Sequence, residues 1–107
     1  MKELERAAFN RALGAFLEWG PAQQEDLKLR IARVVSTLTR PQIKKLIEEF
    51  DSLRSDACRI VEEQVEKHQA EEDGRRRVAE LDYRLSAENA SLLYHQARYS
   101  AWRDGFG

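Results

Sequence analysis

Two apolar rows recurring every seven residues run from residue 41 to residue 102, and they narrow the folds open to this chain. The first row is Ile43, Phe50, Ala57, Gln64, Glu71, Val78, Leu85, Leu92 and Tyr99. The second, three positions on, is Leu46, Leu53, Ile60, Lys67, Gly74, Leu81, Glu88, His95 and Trp102. A helix needs such a repeat to hold one seam toward a partner helix, because 3.5 residues per turn keeps that seam in line. The pattern therefore predicts an all-α protein built by helix pairing. The whole chain has only two prolines and five glycines, at places where helices can stop, and no strand pattern appears.

The N-terminal part adds two shorter helices. Residues 3–19 carry Phe9, Ala12, Leu13, Phe16 and Leu17 at the spacing of one helix face, widened by Leu4, Ala8, Ala15 and Trp19. So wide a face predicts cover on more than one side, by a second chain among other sources. Gly20-Pro21 ends that helix and opens a second over 21–38, with Glu25 and Asp26 near its positive end. Leu27, Ile31, Val34, Val35 and Leu38 form its apolar face. Thr39 followed three residues later by Gln42 is a capping box, and Leu38 with Ile43 occupies the two positions of a hydrophobic staple. A third helix therefore starts at residue 40.

Residues 71–77, Glu-Glu-Asp-Gly-Arg-Arg-Arg, decide where that helix ends. If Gly74 is a turn, helices over 40–73 and 75–103 form a hairpin. If the helix passes through Gly74, it accepts a cost of roughly 1 kcal/mol. The pairs Glu71 with Arg75, Glu72 with Arg76 and Asp73 with Arg77 favour passage, each by about 0.2 to 0.5 kcal/mol. A break at Gly74 would also put three acids at a negative helix end and three arginines at a positive one. The continuous form would be a rod of roughly 90 Å, its C-terminal half beyond the reach of the first two helices. The expectation is one helical domain over 1–107, with two helices packed on a long coiled-coil-like helix, continuous, kinked or folded back at Gly74. It also predicts a homodimer, with Ile43, Leu46, Phe50, Leu53, Ala57, Ile60, Val78, Leu81 and Leu85 as the seam.

Charged residues make up 35% of the 107 and the mean hydropathy is −0.68, yet the apolar residues are periodic, which separates the chain from disordered ones. The net charge of −1 supplies no global basic field for nucleic acid. Residues 1–6 have no apolar core of a leader and no run approaches a membrane span, so a cytoplasmic protein is expected. The lone Cys58 agrees with a reducing compartment. Cys58 has no histidine near it in sequence to activate a thiolate, and reads as a small half-buried apolar residue. His68, with Glu71 and Glu72 on the same face, lacks the further ligand a metal needs, and His95 reads as a polar seam residue. With no nucleophile motif and no phosphate loop, neither an enzyme nor a cofactor, metal or small-molecule substrate is expected.

The segment 92–106 is rich in aromatic residues and arginines, the composition of interface hot spots. Leu92, His95, Tyr99, Trp102 and Phe106 have the spacing of anchors on a helix that lies in a groove, or of packing against the chain's own helices. Arg75, Arg76 and Arg77 offer a phosphate contact, and helices two and three can be drawn as a helix-turn-helix. The neighbouring acids, with Glu48, Glu49 and Asp51 on the would-be recognition helix, oppose a polyanion.

The stretch from Thr39 to Phe50, Thr-Arg-Pro-Gln-Ile-Lys-Lys-Leu-Ile-Glu-Glu-Phe, followed by a charged helix, resembles the oligomerisation segment of bacterial histone-like nucleoid-structuring proteins. In that family two short helices precede a long coiled-coil helix. The resemblance covers roughly a third of the chain, on heptads that coiled coils share, and the family's DNA-binding module does not follow. It implies a stand-alone oligomerisation domain that joins and modulates such a protein. The residues themselves lead to a non-enzymatic protein that dimerises and binds another protein as adaptor, inhibitor or regulator. The alternative is a nucleic-acid-associated regulator using Arg75, Arg76 and Arg77.

Overall fold

The computed structural model describes residues 5–18, 27–103 and 105, and all regular structure among them is helical. The helices are α1 (Arg6–Phe16), α2 (Leu27–Val34), α3 (Arg40–Glu66), α4 (Glu71–Ala79) and α5 (Ala87–Arg103). Two compact units divide the chain, Met1–Asp51 and Ser52–Gly107, with the boundary inside α3. The expected roles of Leu4, Trp19, Gly20, Pro21, Glu25, Asp26 and Phe106 fall outside the described residues.

In the first unit α1 packs against α2. The wide apolar face of α1 is buried along Ala8, Phe9, Ala12, Leu13, Ala15 and Phe16, and Leu17 beyond it. Its cover comes from within the chain. Phe50, fully buried on α3, meets Phe9 edge-on at 5.5 Å between ring centroids and Phe16 at 5.4 Å. Edge-to-face and tilted pairs of this kind place the positive ring edge on the negative face of its neighbour. Ile31 and Val35 are also buried in this unit, while Val34 of the expected face is partly exposed. The second helix stops at Val34, and Val35 to Thr39 form the connection. There the predicted capping box is made: the Gln42 side-chain oxygen accepts the Thr39 N–H at 2.8 Å, and the Thr39 hydroxyl accepts the Gln42 N–H at 3.3 Å. Two donors left over at a helix start are thereby satisfied.

Beyond Glu66 the structure departs from both readings of the long helix. The break falls at residues 67–70, where no glycine or proline stands. The Gln69 N–H donates to Gln64 O (2.9 Å) and the His68 N–H to Val65 O (3.2 Å), the paired bonds of a Schellman C-cap. His68 takes the left-handed conformation that such a cap requires, at φ 53°. The next helix begins at Glu71, so Glu71, Glu72 and Asp73 occupy its first turn and Arg76 and Arg77 its last. The electrostatic argument against a break at Gly74 is thus met by a break three residues before Glu71, which gives each charge the favourable helix end. Gly74 is neither a turn nor part of a rod: it lies buried inside α4.

A second break separates α4 from α5. The Asp82 carboxylate accepts the Arg84 N–H (2.8 Å) and the guanidinium Nε and Nη2 (3.0 and 2.9 Å), folding an Asx-type turn around a largely buried ion pair. The Arg84 hydrogen bonds hold the Asp82 carboxyl below the usual aspartate pKa, against the opposing effect of burial. Ser86 then caps α5, its hydroxyl accepting the Asn89 N–H at 3.1 Å.

Candidate functional site

Helix α5 has two faces of different chemistry. Inward lie Asn89, Ala90, Leu93, Tyr94, Ala97 and Ala101, all buried. This run repeats at three and four residues, and its alanines keep the face shallow where α4 packs against it. Its centre is polar. The fully buried Tyr94 hydroxyl donates to Gln64 Oε1 at 2.9 Å and accepts from Arg98 Nη1 at 3.3 Å. The Arg75 guanidinium lies over the Tyr94 ring at 4.9 Å from its centroid, a cation–π contact.

Gly74 explains how α4 comes so close. A Cβ built there would run into Gln64 Oε1, stand 2.8 Å from Gln64 Cδ and 3.1 Å from Tyr94 Cε1. Only glycine leaves the Gln64–Tyr94 hydrogen bond its space.

The charges around this centre pair with one another. Arg75 keeps the predicted Glu71 pairing, with hydrogen bonds of 2.9 and 3.2 Å. Arg98 also approaches Glu71, at 3.8 Å. Arg76 turns instead to Asp73 (3.5 Å) and Glu80 (4.0 Å), and Arg77 to Glu63 on α3 (3.3 Å). Hydrogen bonds from Lys67 and Arg77 lower the Glu63 pKa, and the Arg75 hydrogen bond lowers that of Glu71. The Tyr94 hydroxyl raises that of Arg98. The three consecutive arginines therefore form no common basic patch. Each is spoken for by a carboxylate of this chain.

Outward, α5 presents Leu92, His95, Tyr99 and Trp102 on one stripe, all exposed. Leu92 is 44% exposed, Tyr99 47% and Trp102 65%, and the Tyr99 and Trp102 rings lie 6.1 Å apart. Four of the five anchors predicted from the sequence thus share one face, and the fifth, Phe106, is outside the described residues. They do not pack into the chain's own core.

The expected dimer seam has the opposite fate. Ile43, Leu46, Phe50, Leu53, Ala57, Ile60, Val78 and Leu85 are buried by this chain alone, and Leu81 is half-buried. Pairing of two copies along that row would require the chain to open its own interior. Cys58 is half-buried on α3 and His68 is exposed at the turn after it. No helix of the described residues is long and apolar enough to cross a membrane. Comparison with protein-family models, with curated proteins and with solved structures finds no match for the chain.

Proposed function

We propose that this chain is a non-enzymatic helical interaction module, an adaptor, inhibitor or regulator, whose outward α5 face docks on another protein chain. One observation carries the reading: three large apolar side chains, Leu92, Tyr99 and Trp102, stand exposed in a row on a helix whose opposite face is already filled. Scattered exposed apolar residues need no explanation, whereas an aligned row with two aromatic members is the form of a helix face that seats in a partner's groove. Self-association belongs to the proposal through this stripe, the C-terminal end of the heptad rows, in place of the buried seam positions between Ile43 and Leu85. A cytoplasmic location goes with it, supported by the single Cys58. A nucleic-acid role would rest on Arg75, Arg76 and Arg77, and their pairing with Glu71, Asp73, Glu80 and Glu63 weakens its support.

Photocrosslinking tests the reading. A benzophenone amino acid replacing Tyr99 in the protein's own host should give an adduct with one defined protein, a second copy of this chain included. The same probe at exposed Glu80 should not. Equal labelling from both positions, or none from position 99, contradicts the proposal.

A further inference from the structure

The outward face of α5 is uneven along its length, and the unevenness is self-complementary. Glu88, Leu92, His95, Tyr99 and Trp102 are all exposed and follow one another at 4, 3, 4 and 3 residues. That spacing is the seam of a two-helix coiled coil, which a second helix covers. Tyr99 and Trp102 crowd the C-terminal end of the seam, whereas Ala87, also exposed, and the half-buried Ser91 leave its N-terminal end low. A parallel pair of such helices sets one Trp102 against the other. In an antiparallel pair each Trp102 enters the space beside Ser91 and Leu92 of the second copy, and each Tyr99 lies between its Leu92 and His95, large against small as close packing requires.

Charge is divided in the same sense. The first turn of α5 carries Glu88 and the last carries Arg103, both exposed. Antiparallel pairing brings each Glu88 beside Arg103 of the second copy and opposes the two helix macrodipoles. Parallel pairing sets glutamate against glutamate and arginine against arginine, which is unfavourable. A guanidinium has five N–H donors, so a contact within its own chain still leaves Arg103 donors for a second copy. Leu92, Tyr99 and Trp102 together offer roughly 300 Å² of exposed side chain on each copy. Stable complexes bury about 800 Å² on each partner, so a pairing of this size is weak and reversible.

Resting on the docking reading of α5, we infer that its occupant is α5 of a second copy, antiparallel and two-fold symmetric. Leu92, Tyr99 and Trp102 of the two copies interleave at the centre, and Glu88 pairs with Arg103 at both ends.

Charge exchange tests this, by sedimentation equilibrium of the purified chain from about 10 μM to 1 mM, with circular dichroism to check the fold of each variant. The wild type is expected to show a monomer–dimer equilibrium. Glu88→Arg and Arg103→Glu should each weaken it about fivefold or more, and Trp102→Ala, at a position 65% exposed, about tenfold. The double variant Glu88→Arg/Arg103→Glu, and an equimolar mixture of the two single variants, should return to wild-type strength, because each again sets acid against base. An effect on helix stability alone gives the opposite order, since the double variant opposes the macrodipole at both ends and would be the worst. A wild type that is monomeric at every concentration, single variants that pair like the wild type, or a double variant no better than either single overturns the inference. Photocrosslinking from position 99 in the host separates this from the reading it rests on. A chain monomeric in vitro whose adduct is a different protein overturns the second copy and keeps the docking face, and a monomer with no adduct overturns both. A monomer that instead sediments with phosphatidylglycerol vesicles overturns both in favour of a lipid surface.

Discussion

Replacing Gly74 by alanine should destabilise the protein, although the position is in the middle of a helix where alanine ordinarily helps. Glycine to alanine inside α4 is favourable by about 1 kcal/mol from propensity alone. Here the added methyl meets Gln64 Oε1 and Cδ and crowds the Tyr94 ring. Gln64 is buried, and moving it breaks its bond with the Tyr94 hydroxyl. Overpacking costs roughly 1–3 kcal/mol, and stranding a buried polar group roughly 1–3 kcal/mol. Set against the propensity gain, the net loss is about 3 kcal/mol, a fall in Tm of about 12 °C for a chain of this size. Urea and thermal unfolding followed by circular dichroism read it. The decisive arm is the Gln64→Ala background, where the obstacle is gone. There Gly74→Ala should become neutral or stabilising by up to about 1 kcal/mol. A turn glycine would instead lose stability in both backgrounds, and an unobstructed helical one would gain in both. Either result refutes the packing argument.

Three further outcomes follow from other parts of the fold. His68→Gly should raise stability slightly, by at most about 1 kcal/mol, because the left-handed conformation costs a side-chain-bearing residue roughly 1–2 kcal/mol while glycine's freedom in the unfolded chain returns part of it. His68→Val should lose about 1–2 kcal/mol in the same urea titration. Phe50→Ala should cost about 3–5 kcal/mol, since it empties the space between Phe9 and Phe16. The Asp82–Arg84 pair gives an acid dependence: a carboxyl whose folded pKa lies below its unfolded value of about 3.9 adds stability above that pH and loses it as pH falls through the folded value. The excess stability of the wild type over Asp82→Asn should therefore be level above pH 5 or so and shrink below about pH 4, measured by urea midpoints across pH.

Local chemistry was legible where it is written in adjacent residues. Thr39 and Gln42 announce the start of α3, and the structure makes both bonds of the box. Ser86, with Glu88 in the next turn, carried a comparable signal for the start of α5 that heptad counting passed over. The break at 67–70 had no glycine or proline to mark it; its one trace was the order of charges, acids then arginines, which asks for a helix start just before Glu71. Gly74 misled because glycine also serves close approach, and nothing near it in sequence reveals that Gln64 and Tyr94 will meet it. Once α3 ends, a heptad phase counted through the turns has no physical meaning. Inside α5 the large side chains at 92, 95, 99 and 102 drew the count. The buried face runs through smaller residues, Ala90, Ala97 and Ala101, with Leu93 and Tyr94. The stripe was therefore found as a set of anchors, and its exposure was visible only after the inner face had been placed.

The two-faced character of α5 is the premise of the proposed docking surface, and two adjacent leucines test it. Leu92 is 44% exposed on the outward stripe and Leu93 is 1% exposed on the inward face. The comparison is the unfolding free energy of Leu92→Ala against that of Leu93→Ala, by urea titration of each purified chain at several protein concentrations. At the lowest concentration Leu93→Ala should cost about 2–5 kcal/mol and Leu92→Ala less than about 0.5 kcal/mol. A large cost for Leu92→Ala with little for Leu93→Ala at that concentration would mean that the heptad row is the inward face of α5, and would contradict the account.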